Sequence, residues 1–204
     1  MRGQHVDLWW SDLRAMDLGL LQQLDPVEAS RAQSIGRTAD LGRFVVGATL
    51  LRVAVAAAAG LDPHAVTVDR TCDECSGPHG RPRVRDGHVS VAHAGPLVLV
   101  ATSPVPVGVD VESTRRGPDV EAWVREEATF KATGSRIGPG CRVTGLPARP
   151  GHVAAVAIVD GQRGIAAPAL VVHGPEESAR ALSAHAAGPG WGSPRLGQAL
   201  VSAR

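Results

Sequence analysis

VGVDVESTRRGPDVEAWVREEATFKATG, residues 107–134, sets an alternating segment directly before a helical one, and this pairing decides the fold class. In VGVDVE the side chains alternate, so Asp110 and Glu112 share one face of a strand while Val109 and Val111 point into the other. Pro118 and Asp119 then open a helix running through Ala132, with Gly134 in the stop position. Trp123, Glu127 and Lys131 recur every fourth residue and share one face of that helix, whereas Glu126 lies about a hundred degrees round it.

Upstream, Val6–Trp10 reads as an opening strand, and Leu24–Ile35 as a helix with Pro26 near its start and Glu28 and Arg31 on its surface. Thr38 or Asp40 is the expected cap of a longer, strongly apolar helix reaching about Ala59, with Gly60 ending it. Arg43 and Arg52 are charges in that helix that need a reason. The stretch CDECSGPHGRP, residues 72–82, is too rich in Gly and Pro for regular structure. Val89–His93, Leu97–Thr102 and Val105–Glu112 read as strands, the last two joined by a turn at Ser103–Pro104. Downstream come strands at Val153–Val159 and Leu170–His173 and a helix at Pro175–Ala187. Strand, helix, then strands appears in both halves. The expected fold is α+β in two subdomains, residues 1–103 and 104–187, followed by a loosely ordered Gly/Pro/Ser-rich tail, 188–204.

Composition narrows the function. A chain of 204 residues, 44% hydrophobic, can bury a sizeable core. A net charge of +1 argues against general nucleic-acid binding and makes any phosphate site local. No apolar run reads as a membrane span, and MRGQHVDLWWSDL lacks the features of a secretory signal. Three cysteines argue against a disulfide framework, so the expected location is cytoplasmic. Lys131 is the only Lys among 21 basic residues, in a chain whose bias otherwise favours Arg. A compact ammonium and a forked guanidinium are interchangeable on an open surface but not at a special site.

Asp110 and Glu112 side by side repel, and a hard divalent ion such as Mg²⁺ would settle them; the same spacing also makes an ordinary solvated strand face. Glu127 and Lys131 make either a surface ion pair or, beside the paired acids, a metal clamp, general base and charge neutraliser suited to phosphoryl transfer. His93 ends the strand SVAHAG, where a lone histidine is more often structural than functional. Cys72, Cys75 and His79 form C-x2-C-x3-H, half of a zinc pattern that only Cys141 or another His could complete. Arg81, between Gly80 and Pro82, sits on a rigid turn suited to facing a phosphate.

In order along the chain, LDPVEASRA (24–32), ADLGRFVVGATLLR (39–52), PHGRPRV (78–84), SVAHAG (90–95), VGVDVE (107–112), WVREEATFKATG (123–134) and HVAAVAI (152–158) resemble the 4'-phosphopantetheinyl transferases of the surfactin-synthetase-activating type, in a compact variant. The resemblance implies a pseudo-dimer of two similar α/β subdomains with the active site in the cleft between them. It implies a monomeric holo-[acyl-carrier-protein] synthase type enzyme that moves 4'-phosphopantetheine from coenzyme A to a serine of an apo acyl or peptidyl carrier protein. The reaction would need Mg²⁺, release adenosine 3',5'-bisphosphate, and serve fatty acid, polyketide or nonribosomal peptide synthesis. By the same resemblance Asp110, Glu112 and Glu127 hold the metal, Glu127 is also the base, and Lys131 neutralises the pyrophosphate. Arg43 and His93 fall where the family contacts the 3'-phosphate of coenzyme A, and Arg81 at a basic position near the nucleotide. Two departures stand out. Ala92-His93-Ala94 replaces the usual Ser-His-Ser, and the segment 113–126 is short where the family carries further helix and loop, which bears on carrier docking. The rival readings are a catalytically weakened carrier-binding homologue and another Mg²⁺-dependent phosphotransferase or hydrolase.

Overall fold

The structure, a computed structural model, describes residues 5–135, 140–159 and 168–190. Among the described residues, seven strands form two sheets. The first joins β1 (His5–Asp12), β2 (His88–Ala94), β3 (Leu97–Ser103) and β7 (Ala169–His173) in the order β2-β3-β1-β7. The second joins β4 (Val107–Ser113), β5 (Cys141–Leu146) and β6 (His152–Val159) in the order β4-β6-β5. All pairings are antiparallel except the parallel one between β1 and β7. The helices are α1 (Leu18–Leu21), α2 (Pro26–Ser34), α3 (Thr38–Ala59), α4 (Val120–Thr133) and α5 (Pro175–Ala186). Mixed helix and two sheets agree with the expected α+β class.

Alternation along the strands builds four layers. Val6, Leu8, Leu99 and Ala101 of the first sheet meet Val109, Val111, Val156 and Ile158 of the second in one buried cluster. The opposite face of the first sheet, through Trp9, Val98 and Val100, packs on α3. The opposite face of the second, through Ala155 and Ala157, packs on α4. The seam between the sheets runs where β2 lies beside β4, joined by the Val109 N–H donating to Ser90 Oγ at 3.0 Å.

Several expectations change. The chain passes to the second sheet after Ser103 but returns to the first with β7 and α5, although sequence order groups them in 104–187. β5 lies outside the strands read from the sequence: none of its residues is fully buried, although Cys141 and Val143 alternate with exposed Arg142 and Thr144 and pack against the α4 cluster. Glu28 is buried rather than on the surface: it closes a capping box with Asp25 and then pairs with Arg52 at 3.1 Å. Arg52 is 1% exposed and is held by Asp25, Glu28 and the Val66 carbonyl. Neither Thr38 nor Asp40 caps α3; Arg37 precedes it without a side-chain cap bond, while Gly60 ends it in the left-handed conformation. By length and composition α3 is also long and apolar enough to cross a membrane, contrary to the sequence reading; here it is the core helix, 72% buried over its most apolar window. Beyond residue 190 the expected tail lies outside the described residues.

One buried group predicts acid lability. His185, on α5, is 7% exposed with Nε2 unpartnered, and its ring lies 4.8 Å from that of His64. Burial, then the neighbouring His64, push its pKa down to about 4. The folded state therefore disfavours the protonated ring, and stability is lost as pH falls from the unfolded value near 6.5 towards 4. The loss from this group should reach roughly 2 kcal/mol by pH 5. Urea denaturation of wild type and His185→Leu at pH 7 and pH 5 checks this: the variant should lose less on acidification, and an equal loss would refute the assignment.

Candidate active site

β4 and α4 bring the residues of the opening stretch together. Asp110 and Glu112 leave β4 on the side facing α4, opposite Ala155 and Val153 of β6. On α4, Glu127 and Lys131 are half-buried while Glu126 is exposed, so the helix phase read from the sequence holds. Trp123 lies on the same face, packed against the α4 cluster.

Gly108 sets the spacing between the two elements. A Cβ there would lie 2.0 Å from the Ala128 carbonyl oxygen and 2.6 Å from the Ala132 nitrogen, so the helix backbone rests directly on the strand. At that separation Lys131 Nζ donates to Asp110 Oδ1 at 2.8 Å and to the Val109 carbonyl at 3.1 Å. The other oxygen, Asp110 Oδ2, is buried without a partner. Burial pushes the Asp110 pKa up; Lys131 opposes this, and the Glu112 and Glu127 charges reinforce it. Glu112 is held at 3.0 Å by Arg116, whose guanidinium lies 4.4 Å from the Trp123 ring centre. The short segment 113–126 thus supplies Arg116, which the sequence reading did not single out.

These residues fit a hard divalent ion. The Glu112 and Glu127 charges act against that of Asp110, Lys131 and Arg116 pair with Asp110 and Glu112, and the buried Asp110 Oδ2 has no partner. They do not form a closed cage: among the described residues, the one trio of ligand atoms all within 4.8 Å of one another is Cys72, Cys75 and His79.

A second feature lies between α3, β2 and the 70–82 loop. Arg31, Arg43, Arg70, His79 and His93 line a cavity of about 350 Å³, with Asp40 as the one acid in its wall. Arg43 donates to the Gly95 carbonyl at 2.6 Å and is paired with Asp40. Arg70 is partly neutralised by Glu28 at 3.4 Å. Loss of hydration, then the Arg43 charge, push the His93 pKa down, and Lys131 contributes in the same sense. β2, which carries His93, lies beside β4, which carries Asp110 and Glu112. Arg81 is exposed and interacts with Arg83 and Asp73; its neighbours Gly80 and Pro82 line the cavity instead. Arg31 and Arg70 were missed because nothing in the local sequence separates them from the other arginines.

Over 78 residues the chain is 32% identical to a 4'-phosphopantetheinyl transferase of Bacillus subtilis. The matched stretch covers 38% of this chain and 34% of that protein, so the chain spans about a third of its relative's length. No protein-family model matches the chain.

Proposed function

We propose that the protein transfers 4'-phosphopantetheine from coenzyme A to a serine of an apo acyl or peptidyl carrier protein, as a surfactin-synthetase-activating type enzyme of the cytoplasm. The observation that supports this reading is a cluster of three acids with Lys131 on β4 and α4, together with a cavity lined by Arg31, Arg43, Arg70 and His93 beside the neighbouring strand β2. A pyrophosphate with a nucleotide on one side and a long neutral arm on the other suits such a pair. The cavity takes the 3'-phosphate and nucleotide, and the acid cluster lies beside the reacting phosphorus.

Asp110, Glu112 and Glu127 would hold Mg²⁺, which when bound withdraws charge from the pyrophosphate. Glu127 accepts the proton of the carrier serine hydroxyl as its oxygen attacks the phosphorus attached to pantetheine. The new serine–phosphorus bond forms as the bond to the bridging oxygen breaks, releasing adenosine 3',5'-bisphosphate. Lys131, fixed by Asp110 and the Val109 carbonyl, offsets charge gathering on the leaving group. Arg would bring a wider, planar head to the same narrow space between β4 and α4, which accounts for the retained Lys.

Incubation with coenzyme A, Mg²⁺ and a panel of apo-carriers, read by intact mass, tests the proposal. At least one carrier should gain a single phosphopantetheine, and no gain across a broad panel would favour a carrier-binding protein. Arg43→Ala probes the 3'-phosphate assignment. A charge-assisted contact of roughly 1.5–3 kcal/mol should raise the KM for coenzyme A about ten- to a hundredfold, with a smaller rise for His93→Ala. With dephospho-coenzyme A the Arg43 effect should nearly vanish. An equal loss on both substrates would mean that Arg43 only braces Asp40 and Gly95.

A further inference from the structure

Residues 69–83 leave the body of the protein as a closed excursion. Asp69 and Arg83 pair at its base through backbone bonds of 2.9 and 2.8 Å. Its residues are mostly exposed, so apolar burial cannot set its shape. Local backbone bonds do so instead: the Cys72 N–H donates to Gly77 O and the Ser76 N–H to Cys72 O, each at 2.9 Å. Ser76 adopts a left-handed φ of 60°, which turns the chain sharply back. At Gly80 the chain passes so close that a Cβ would lie 2.4 Å from the Thr71 carbonyl oxygen.

The effect of this tight path is to gather three ligand atoms. Cys75 Sγ and His79 Nε2 are 2.9 Å apart, and one ligand atom each from Cys72, Cys75 and His79 all lie within 4.8 Å of one another. In tetrahedral zinc coordination, bonds of about 2.3 Å to sulfur and 2.0 Å to nitrogen put neighbouring ligand atoms about 3.5–3.8 Å apart. For Cys75 and His79 the observed 2.9 Å reaches that by a small side-chain adjustment, and Cys72 lies within 4.8 Å of both. Cys141, one of the candidates for a fourth ligand, sits on β5 against α4 in the second sheet.

We propose that Cys72, Cys75 and His79 bind one zinc ion through two thiolates and one imidazole, leaving a fourth position for water. Two thiolates balance the charge of Zn²⁺, and the mixed sulfur and nitrogen set suits a borderline-soft ion rather than the hard ion of the acid cluster. Binding releases the two thiol protons. Because His79, Gly80 and Pro82 also line the cationic cavity, the ion would fix that wall.

The test needs neither coenzyme A nor a carrier, so its outcome is independent of the transferase reading. The full chain, reduced and stripped with chelator, is titrated with Co²⁺ and then Zn²⁺. One equivalent of Co²⁺ should produce a thiolate-to-metal charge-transfer band, and one equivalent of Zn²⁺ should displace it. Cys72→Ser or Cys75→Ser should weaken binding by at least about a hundredfold, since loss of a ligand exceeds the loss of a supporting contact. Cys141→Ser should leave the band unchanged. Absence of the band in reduced wild type, or its survival in Cys72→Ser and Cys75→Ser, would overturn the proposal; the wild-type titration stands even if a variant fails to fold.

Discussion

Asp110→Ala is expected to reduce phosphopantetheine transfer by at least about a thousandfold while the protein remains folded. The two halves of this result have separate causes. Asp110 is 7% exposed, with one oxygen on Lys131 and the other on nothing, and its pKa is raised by burial and by the neighbouring acids. The fold therefore gains little from its charge. Removing it relieves repulsion with Glu112 and Glu127, while Lys131 keeps the Val109 carbonyl and partial contact with water. Denaturation midpoints should shift by no more than about 1 kcal/mol equivalent. On the proposed reading, transfer depends on the same carboxylate, because Asp110 Oδ2 is a buried oxygen without a partner that a metal ion would take up. Glu127→Ala should show a comparable loss of transfer, and Glu126→Ala, on the exposed side of α4, should be mild. Transfer that survives Asp110→Ala, or equal losses at Glu126 and Glu127, would remove the acid cluster from the reaction.

The stretch 107–134 was legible because its chemistry is periodic. Two-residue alternation put Asp110 and Glu112 on one face, four-residue spacing put Glu127 and Lys131 on another, and sequence adjacency made the faces meet. The assembly around that pair was less legible. Nothing local says that β7 pairs parallel to β1, since such pairing joins residues far apart in sequence. Glu28 reads as surface because a Glu in a first turn usually is; it is buried only because Arg52, from the middle of α3, reaches it. The cationic cavity was half visible. Arg43 and His93 stood out by position, whereas Arg31 and Arg70 depend on tertiary approach and Arg81 lies outside the lining. The loop chemistry was legible as C-x2-C-x3-H, but only the backbone path shows that the three ligand atoms converge.

Gly108→Ala should be among the most damaging single methyl additions available in this chain. The added carbon would meet Ala128 O at 2.0 Å, Ala132 N at 2.6 Å and Lys131 Cβ at 2.9 Å, and the first two are helix backbone that no rotamer change can clear. α4 must retreat from β4, opening the packing of Val124, Ala128 and Ala132 on Ala155 and Ala157. Overpacking against a flexible side chain costs about 1–3 kcal/mol, and against backbone the loss here should be about 3 kcal/mol or more. The retreat also carries Lys131 away from Asp110 and the Val109 carbonyl, so transfer should fall about a hundredfold even where the variant is folded, as expected for a displacement near 1 Å. Gly145→Ala is the matched control: it lies in β5 of the same sheet, with nothing within 4 Å of the added carbon, and should be neutral or slightly stabilising. Ala128→Gly should not rescue Gly108→Ala, because the obstructing atom is the carbonyl oxygen and not the methyl group. Urea denaturation and transfer assays on these variants read both effects. Rescue by Ala128→Gly, or a Gly108→Ala protein of wild-type stability and turnover, would mean that α4 does not rest on β4 through this glycine.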